Sequence, residues 1–426
     1  VQPNSFIQNL STFKSLPASR IAFWMPRTLL RLFHQLKHYG DVRGDVQVGL
    51  QTSDNFRFIR LAWEVPTQAI CYSGDDTRQQ NKQWVYYAKG GEYAPYYGDF
   101  HLCINWRNIG YEAKSVINDS GRVVCYPRNE GHYFKPGLTY SERTTSNFSA
   151  RVMPSGCCFD RTGPRISSNG FEKDLADLSL MMTRPFAYLL EFMVGSADVV
   201  FSGSAARHYN SRAVSQLPYP EFTESTERKL AFASRRAWEL HREDQSISET
   251  DRYFVTPCLV QGNRVNLQAG MRAWEESRDE RILEVLHLSW EVENAVVKAF
   301  GLEEDALESI TADLGVHPHE YKERTIDDVA LRDDYLRNLD QLIDTQVSKD
   351  GASRALTKKS FYADRRIEIL CQKFKASPES IIQARRRGNL LEPGRLEFES
   401  AAILSYCLGV SFGRWNVLYS TSGTDR

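Results

Sequence analysis

Phe56-Arg57-Phe58-Ile59-Arg60-Leu61 and Trp84-Val85-Tyr86-Tyr87 decide the reading of the fold. Both runs are short, aromatic or β-branched, and bounded by Gly, Asp and Asn, which is the chemistry of strands and turns. Residues 1–220 hold 32 of the 50 aromatic residues, so strand character is concentrated in that half. Helices are interleaved with it. Pro26 to Gly40 carries Leu29, Leu30, Leu32, Phe33 and Leu36 at helical spacing, Asp174 is placed to cap a segment through Leu180, and Phe186 to Val194 continues in helical style after Pro185. A mixed α/β domain is expected over residues 21–220, ending at Pro218-Tyr219-Pro220.

Residues 221–426 have a different texture. Phe222 to Glu243 opens with Thr223, Ser225 and Thr226 as candidate N-caps, and Arg278 to Phe300 places Ile282, Val285, Leu286, Val292 and Val296 near one face before Gly301. Further helices are expected from about Asp333, Ala363 and Glu397, and Glu303-Glu304-Asp305 suits a helix start. The fold class is therefore α+β, a mixed α/β domain followed by a mainly helical one.

Net charge is −1, but it is unevenly spread: residues 1–220 carry 24 Lys+Arg against 18 Asp+Glu, and residues 221–426 carry 29 against 36. Only the first half suits a polyanion. The eight cysteines include no CxxC pair and no zinc-like spacing, which reads as reduced thiols of a cytoplasmic protein. No apolar run of membrane-spanning length and no signal-peptide layout occurs. The chain contains no GxxxxGKS/T, HExxH or GxSxG motif and no Pro-Pro pair, which excludes the Asn-Pro-Pro-aromatic motif of amino methyltransferases. Val199–Ala205, VVFSGSA, reads as an ordinary turn, and His317-Pro318-His319 as an exposed loop in preference to a metal pair.

A series of longer blocks carries a resemblance. They are FKSLPASRIAFW (13–24), GLQTSDNFRFIRLAWEV (49–65), WVYYAKGGEYAPYYGDFHLCINW (84–106) and RNEGHYFKPGLTYSERTTSNFSAR (128–151). Pro154-Ser155-Gly156, Phe159-Asp160, Leu217-Pro218-Tyr219-Pro220 and LSYCLGVSFGRW (404–415) follow. In this order they resemble the region after the methylase domain in PglX-type adenine-specific DNA methyltransferases of BREX phage defence, and related enzymes of DISARM and type IIG restriction-modification systems. Glu92-Tyr93-Ala94-Pro95 departs from that pattern. The resemblance implies adenine N6 methylation with S-adenosylmethionine, the methyl-transfer pocket and cofactor lying in a domain outside this chain. Residues 1–20 are then a linker from that domain, 21–220 a target-recognition domain and 221–426 a helical C-terminal domain. The implied partner is double-stranded DNA, with other defence-system proteins as further candidates. The competing reading is a protein-interaction scaffold in a defence complex.

Residue by residue, the blocks leave structural alternatives open. Thr52 and Ser53 sit in a glycine-led turn that suits either a phosphate or a hairpin held by Asp54 and Asn55. Arg57 and Arg60 suit phosphate contacts or ion pairs within the domain. Lys89-Gly90-Gly91 allows close backbone approach beside a positive charge, or a plain glycine turn. Arg128 and Asn129 have side chains suited to guanine and adenine edges. Lys135, Thr139, Ser141, Arg143 and Arg151 follow on a polar-aromatic stretch, and Arg207, Asn210 and Arg212 lie in a short basic segment without acids. Each is a candidate DNA contact.

Overall fold

The computed structural model of the chain describes residue 16 and residues 25–44, 46–73, 82–168, 170–194, 206–260, 267–320, 365–378, 380–381 and 395–413. The segment 199–205, the helix expected from Asp333, the start expected at Ala363, and Arg414-Trp415 lie outside the described residues, as does 1–20 apart from Leu16. The arrangement is α+β, and the chain divides into two compact units.

The first unit comprises Val1–Arg242, Thr250–Arg252 and Val292–Leu314. Its larger sheet contains β1 (Ile59–Leu61), β2 (Ile70–Cys71), β3 (Trp84–Ala88), β4 (Leu102–Asn105) and, further along, β8 (Cys157–Phe159). The order is β1-β4-β3, and β2 and β8 pair in parallel with successive parts of β3. β3 is buried over Val85, Tyr86, Tyr87 and Ala88, consistent with its unbroken aromatic and apolar sequence. The aromatic-rich core gathers Phe58, Tyr87, Phe100, Trp106, Tyr133 and Phe159 around this sheet.

Phe56-Arg57-Phe58 is not strand. Asn55–Phe58 forms a helical turn because Asp54 caps it, accepting the Arg57 N–H at 3.0 Å, and extended backbone begins only at Ile59. A second sheet contains β5 (Gly137–Tyr140), β7 (Ala150–Met153) and β9 (Arg165–Ile166), all antiparallel in the order β7-β5-β9. A two-stranded ribbon pairs β6 (Arg143–Thr144) with β10 (Arg207–His208).

The helical stretch expected from Pro26 to Gly40 is broken into Arg27–Gln35 and Tyr39–Arg43. The break has a tertiary cause. Tyr39 donates its N–H to Leu217 O at 2.7 Å, and Tyr219 donates to Lys37 O at 2.9 Å, so residues 37–39 extend to pair with the Leu217-Pro218-Tyr219 segment. Asp174 is not an N-cap: Phe171–Met181 starts earlier, and the Asp174 carboxylate reaches back from its first turn to the Ser168 N–H. Arg184–Val194 starts with Pro185 in its first turn, where no intrahelical N–H is needed. Glu224–Gln245 follows a Thr223 cap, whose hydroxyl accepts the Thr226 N–H at 3.2 Å.

A buried network joins these helices. Asp177, wholly out of solvent, takes Arg43 Nε at 2.9 Å, Tyr39 OH at 2.8 Å and Tyr219 OH at 3.3 Å. Arg43 also meets Glu227 at 2.7 Å and lies over the Tyr219 ring.

The second unit comprises Glu243–Glu249, Tyr253–Glu291 and Gly315–Arg426. Most of the long helix Leu267–Phe300 belongs to it, with Arg365–Phe374 and Arg395–Ser411. Leu283, Phe374, Ala376 and Ile381 form one apolar cluster, and Cys258, Leu259 and Trp274 another. His317 and His319 are not on an exposed loop. Both are buried, His319 stacks on Trp290 at 4.4 Å, and its Nε2 lies 2.9 Å from Phe374 O, so aromatic packing and a backbone partner bring the pair inside. No group able to hold a metal ion is found among the described residues. None of the eight cysteines is in a disulfide, and burial pushes the Cys157 thiol up to about 11, which keeps it protonated. No helix among the described residues is long and apolar enough to cross a membrane.

Candidate nucleic-acid interface

Residues 46–51 organise one face of the first unit. Gln47 pairs with Arg165, Leu50 with Asp160 and Gln51 with Tyr126, so the segment threads between two stretches far apart in sequence. Gly49 makes that threading sterically possible. A Cβ there would fall 1.9 Å from Phe159 O. The glycine of the GLQTSDNF block therefore admits protein backbone, and the turn after it is held from within. Thr52 bonds Asn55 through their side chains, Arg57 pairs with Glu112 at 2.7 Å, and Arg60 Nη1 donates to the carbonyls of Phe56 at 2.6 Å and Ile59 at 2.7 Å. Ser53 is exposed.

The double glycine is likewise tied to protein. Gly91 N–H donates to Ser141 Oγ at 2.9 Å, Ser141 Oγ donates back to Gly91 O at 2.8 Å, and Gly90 N–H faces Thr162 Oγ1 at 3.4 Å. Lys89 beside them is half-buried with no ion-pair partner among the described residues. Thr139, Ser141 and Arg151 are buried, with 1%, 4% and 5% exposure. Arg207 pairs with Glu191 at 3.1 Å, and Asn210 caps Ser211–Ser215 by accepting the Ala213 N–H at 2.9 Å. Arg143 is exposed on the β6–β10 ribbon.

The structure brings two of the remaining candidates together. A cleft of about 420 Å³ is lined by Val46, Gln47, Asn129, His132, Ser211, Arg212 and Ser215. Asn129 and Arg212, separated by more than eighty residues in sequence, share it, and exposed Arg128 and Lys135 lie on the same 128–135 loop as Asn129 and His132. Asn129 adopts a left-handed conformation (φ 52°), which asparagine tolerates, and donates one amide hydrogen to Val48 O at 2.9 Å. Its Oδ1 has no partner among the described residues.

The lining contains no carboxylate. The neighbouring Glu130 is taken up by Lys114. Arg128, Lys135 and Arg212 have no ion-pair partner among the described residues. The field is positive: burial and the charges of Arg165 and Lys135 hold the His132 imidazole below its usual range. That same field attracts an anion, while the amides of Asn129 and Gln47 offer hydrogen-bonding edges. Gln47 and His132 were not candidates from sequence. Gln47 enters through its bond from Arg165 Nη1 at 2.7 Å, a contact without any local sequence signal.

No family model matches the chain. Over 301 residues, 69% of its length, it is 25% identical to the adenine-specific methyltransferase PglX of Lacticaseibacillus casei (strain Zhang), covering 24% of that protein. Over 154 residues, 36% of its length, it is 30% identical to the adenine-specific methyltransferase BrxX of Escherichia coli O9:H4 (strain HS), covering 12% of it. The chain thus spans a quarter or less of the curated relatives it matches. By sequence, it is similar to a region of the PglX and BrxX adenine-specific methyltransferases.

Proposed function

We propose that this chain provides DNA target recognition for a site-specific, S-adenosylmethionine-dependent DNA adenine methyltransferase of a phage-defence or restriction-modification system. Methyl transfer and cofactor binding belong to a part of the enzyme outside the chain. The observation that carries the reading is the carboxylate-free cleft that Asn129 and Arg212 line together, with exposed Arg128 and Lys135 on the loop that carries Asn129. Unpaired cations grip phosphates, and amide and guanidinium edges in the same groove read bases. Lys89 and Arg143 are exposed or half-exposed cations that extend the phosphate-binding surface. Thr52, Arg57, Arg60, Gly90, Gly91, Ser141, Arg207 and Asn210 shape and support it through bonds within the protein.

The test is duplex binding by this chain across a salt series. Lys135→Glu with Arg212→Glu is expected to weaken binding to all sequences, and replacing both by alanine to flatten the salt slope by about two, one per lost phosphate contact. Unchanged affinity and slope would refute the reading. A second reading, a protein-docking role for the helical half, is favoured by exposed Leu404, Leu408 and Phe412 on and just after Arg395–Ser411. It predicts that changes at these three positions disturb assembly and leave DNA binding intact.

A further inference from the structure

The β7-β5-β9 sheet carries an unusual row of side chains. Thr139 at its centre is in register with Arg151 on one side and Arg165 on the other. Residues directly opposite across antiparallel strands share a face, so two guanidinium groups flank one hydroxyl. All three are buried, with 5% exposure at Arg151, 1% at Thr139 and 3% at Arg165. The opposite face of the same strands, with Leu138, Val152 and Ile166, is apolar core.

Neither arginine has a carboxylate in ion-pair contact among the described residues. Arg165 is met by neutral oxygens, those of the Gln47 side chain and the Pro136 carbonyl. Arg151 has less. Its Nη2 reaches Ser141 Oγ at 3.5 Å, a hydroxyl already engaged both ways with Gly91, and its Nη1 has no hydrogen-bond partner. The Thr139 hydroxyl is also without one. Burial pushes the Arg151 guanidinium down to about 10, and no neighbouring charge offsets this. At neutral pH it therefore stays protonated. The Asp174 carboxylate partly offsets the Arg165 charge, but the Arg151 charge, buried beside an orphaned hydroxyl, is unfavourable unless a negative group joins it.

We propose that Arg151 and Thr139 hold a monatomic anion of the halide class inside the first unit. Arg151 Nη1–H and Thr139 Oγ1–H donate to it, and Arg165 contributes its positive field from across β5. The near-complete burial of both donors selects a small ion over a phosphate or carboxylate. The site ties β5 and β7 together behind the Gly90-Gly91 turn, which Ser141 holds from the same face.

Two measurements on the whole chain test this. Thermal unfolding is followed while sodium gluconate is replaced by sodium bromide at constant ionic strength, and bromide-soaked crystals are examined at the bromine absorption edge. The expected result is a saturable, bromide-dependent rise in Tm, with an anomalous peak within hydrogen-bond reach of Arg151 and Thr139. Thr139→Val keeps the shape and removes only the donor hydroxyl, and it is expected to lose most of that rise. Arg151→Met is expected to abolish it. If Arg151→Met does not fold, Thr139→Val carries the comparison. No bromide-specific shift in the unaltered chain, the same shift in Thr139→Val, or a water in place of the peak would each overturn the proposal.

Discussion

Replacing Gly49 by alanine puts a methyl group into the backbone of β8. The added Cβ would lie 1.9 Å from Phe159 O and 2.5 Å from Phe159 C, where ordinary contact is about 3.4 Å or more. No rotamer relieves this, since the obstacle is backbone. Residues 46–51 would have to withdraw by more than about 1 Å. That movement strains Leu50 N–H to Phe159 O (2.9 Å), Arg161 N–H to Leu50 O (3.0 Å) and the reciprocal Gln47–Arg165 pair (2.7 and 2.8 Å). Overpacking typically costs about 1–3 kcal/mol. Losing one or two backbone hydrogen bonds adds about 1 kcal/mol each, giving about 2–5 kcal/mol in all. Gly91→Ala is the internal control, because nothing lies within 4 Å of a Cβ there; its expected change is within about 0.5 kcal/mol. Urea unfolding followed by tryptophan fluorescence measures both, Trp106 being a wholly buried reporter in the same unit. A Gly49→Ala cost below about 1 kcal/mol, or an equal cost at Gly91, would refute the steric argument.

Asp177→Asn leaves the buried Arg43 guanidinium with Glu227 as its one carboxylate, and is expected to cost about 3 kcal/mol in denaturant unfolding; a loss under about 1 kcal/mol would show that Glu227 suffices. Asp99 is pushed up to about 7 by burial and by the neighbouring Asp251, so the folded chain holds a proton that the unfolded chain releases near 3.8. The associated stability is present below about pH 4 and is lost as pH rises through about 7, on the order of 4 kcal/mol at full extent. Asp99→Asn is expected to flatten unfolding free energy over that window, and an unchanged pH profile would count against the assignment. If Arg128 reads a base, Arg128→Ala relaxes preference at one position of a selected duplex pool by about 1–3 kcal/mol; sequencing the bound fraction measures it, and an identical motif removes Arg128 from base reading.

What the sequence determined by itself is the local and the collective. The aromatic run at Trp84–Ala88 is a strand, Thr223 caps a helix, and the Leu29–Phe33 spacing gives a helix with its buried face, because each is set by residues within a few positions of one another. The charge contrast between the halves and the ordered blocks 49–65, 84–106 and 128–151 are also properties of the chain alone, and the blocks pointed to the methyltransferases that the chain matches. Tertiary structure decided which face of each element is covered. Alternation along Gly137–Tyr140 and Ala150–Met153 cannot show that both faces are buried, so Thr139 and Arg151 read as surface groups, whereas Arg151 is covered where the Tyr96–Gly98 segment pairs with it and Gly98 closes on its side chain. His317 and His319 likewise go inside because Trp290 and Phe374 pack on them from distant positions. The cleft is the clearest case. Asn129 and Arg212 become neighbours only when residues 46–51 thread past Phe159 and Arg165, and that path depends on backbone pairing between distant segments, which no local period records.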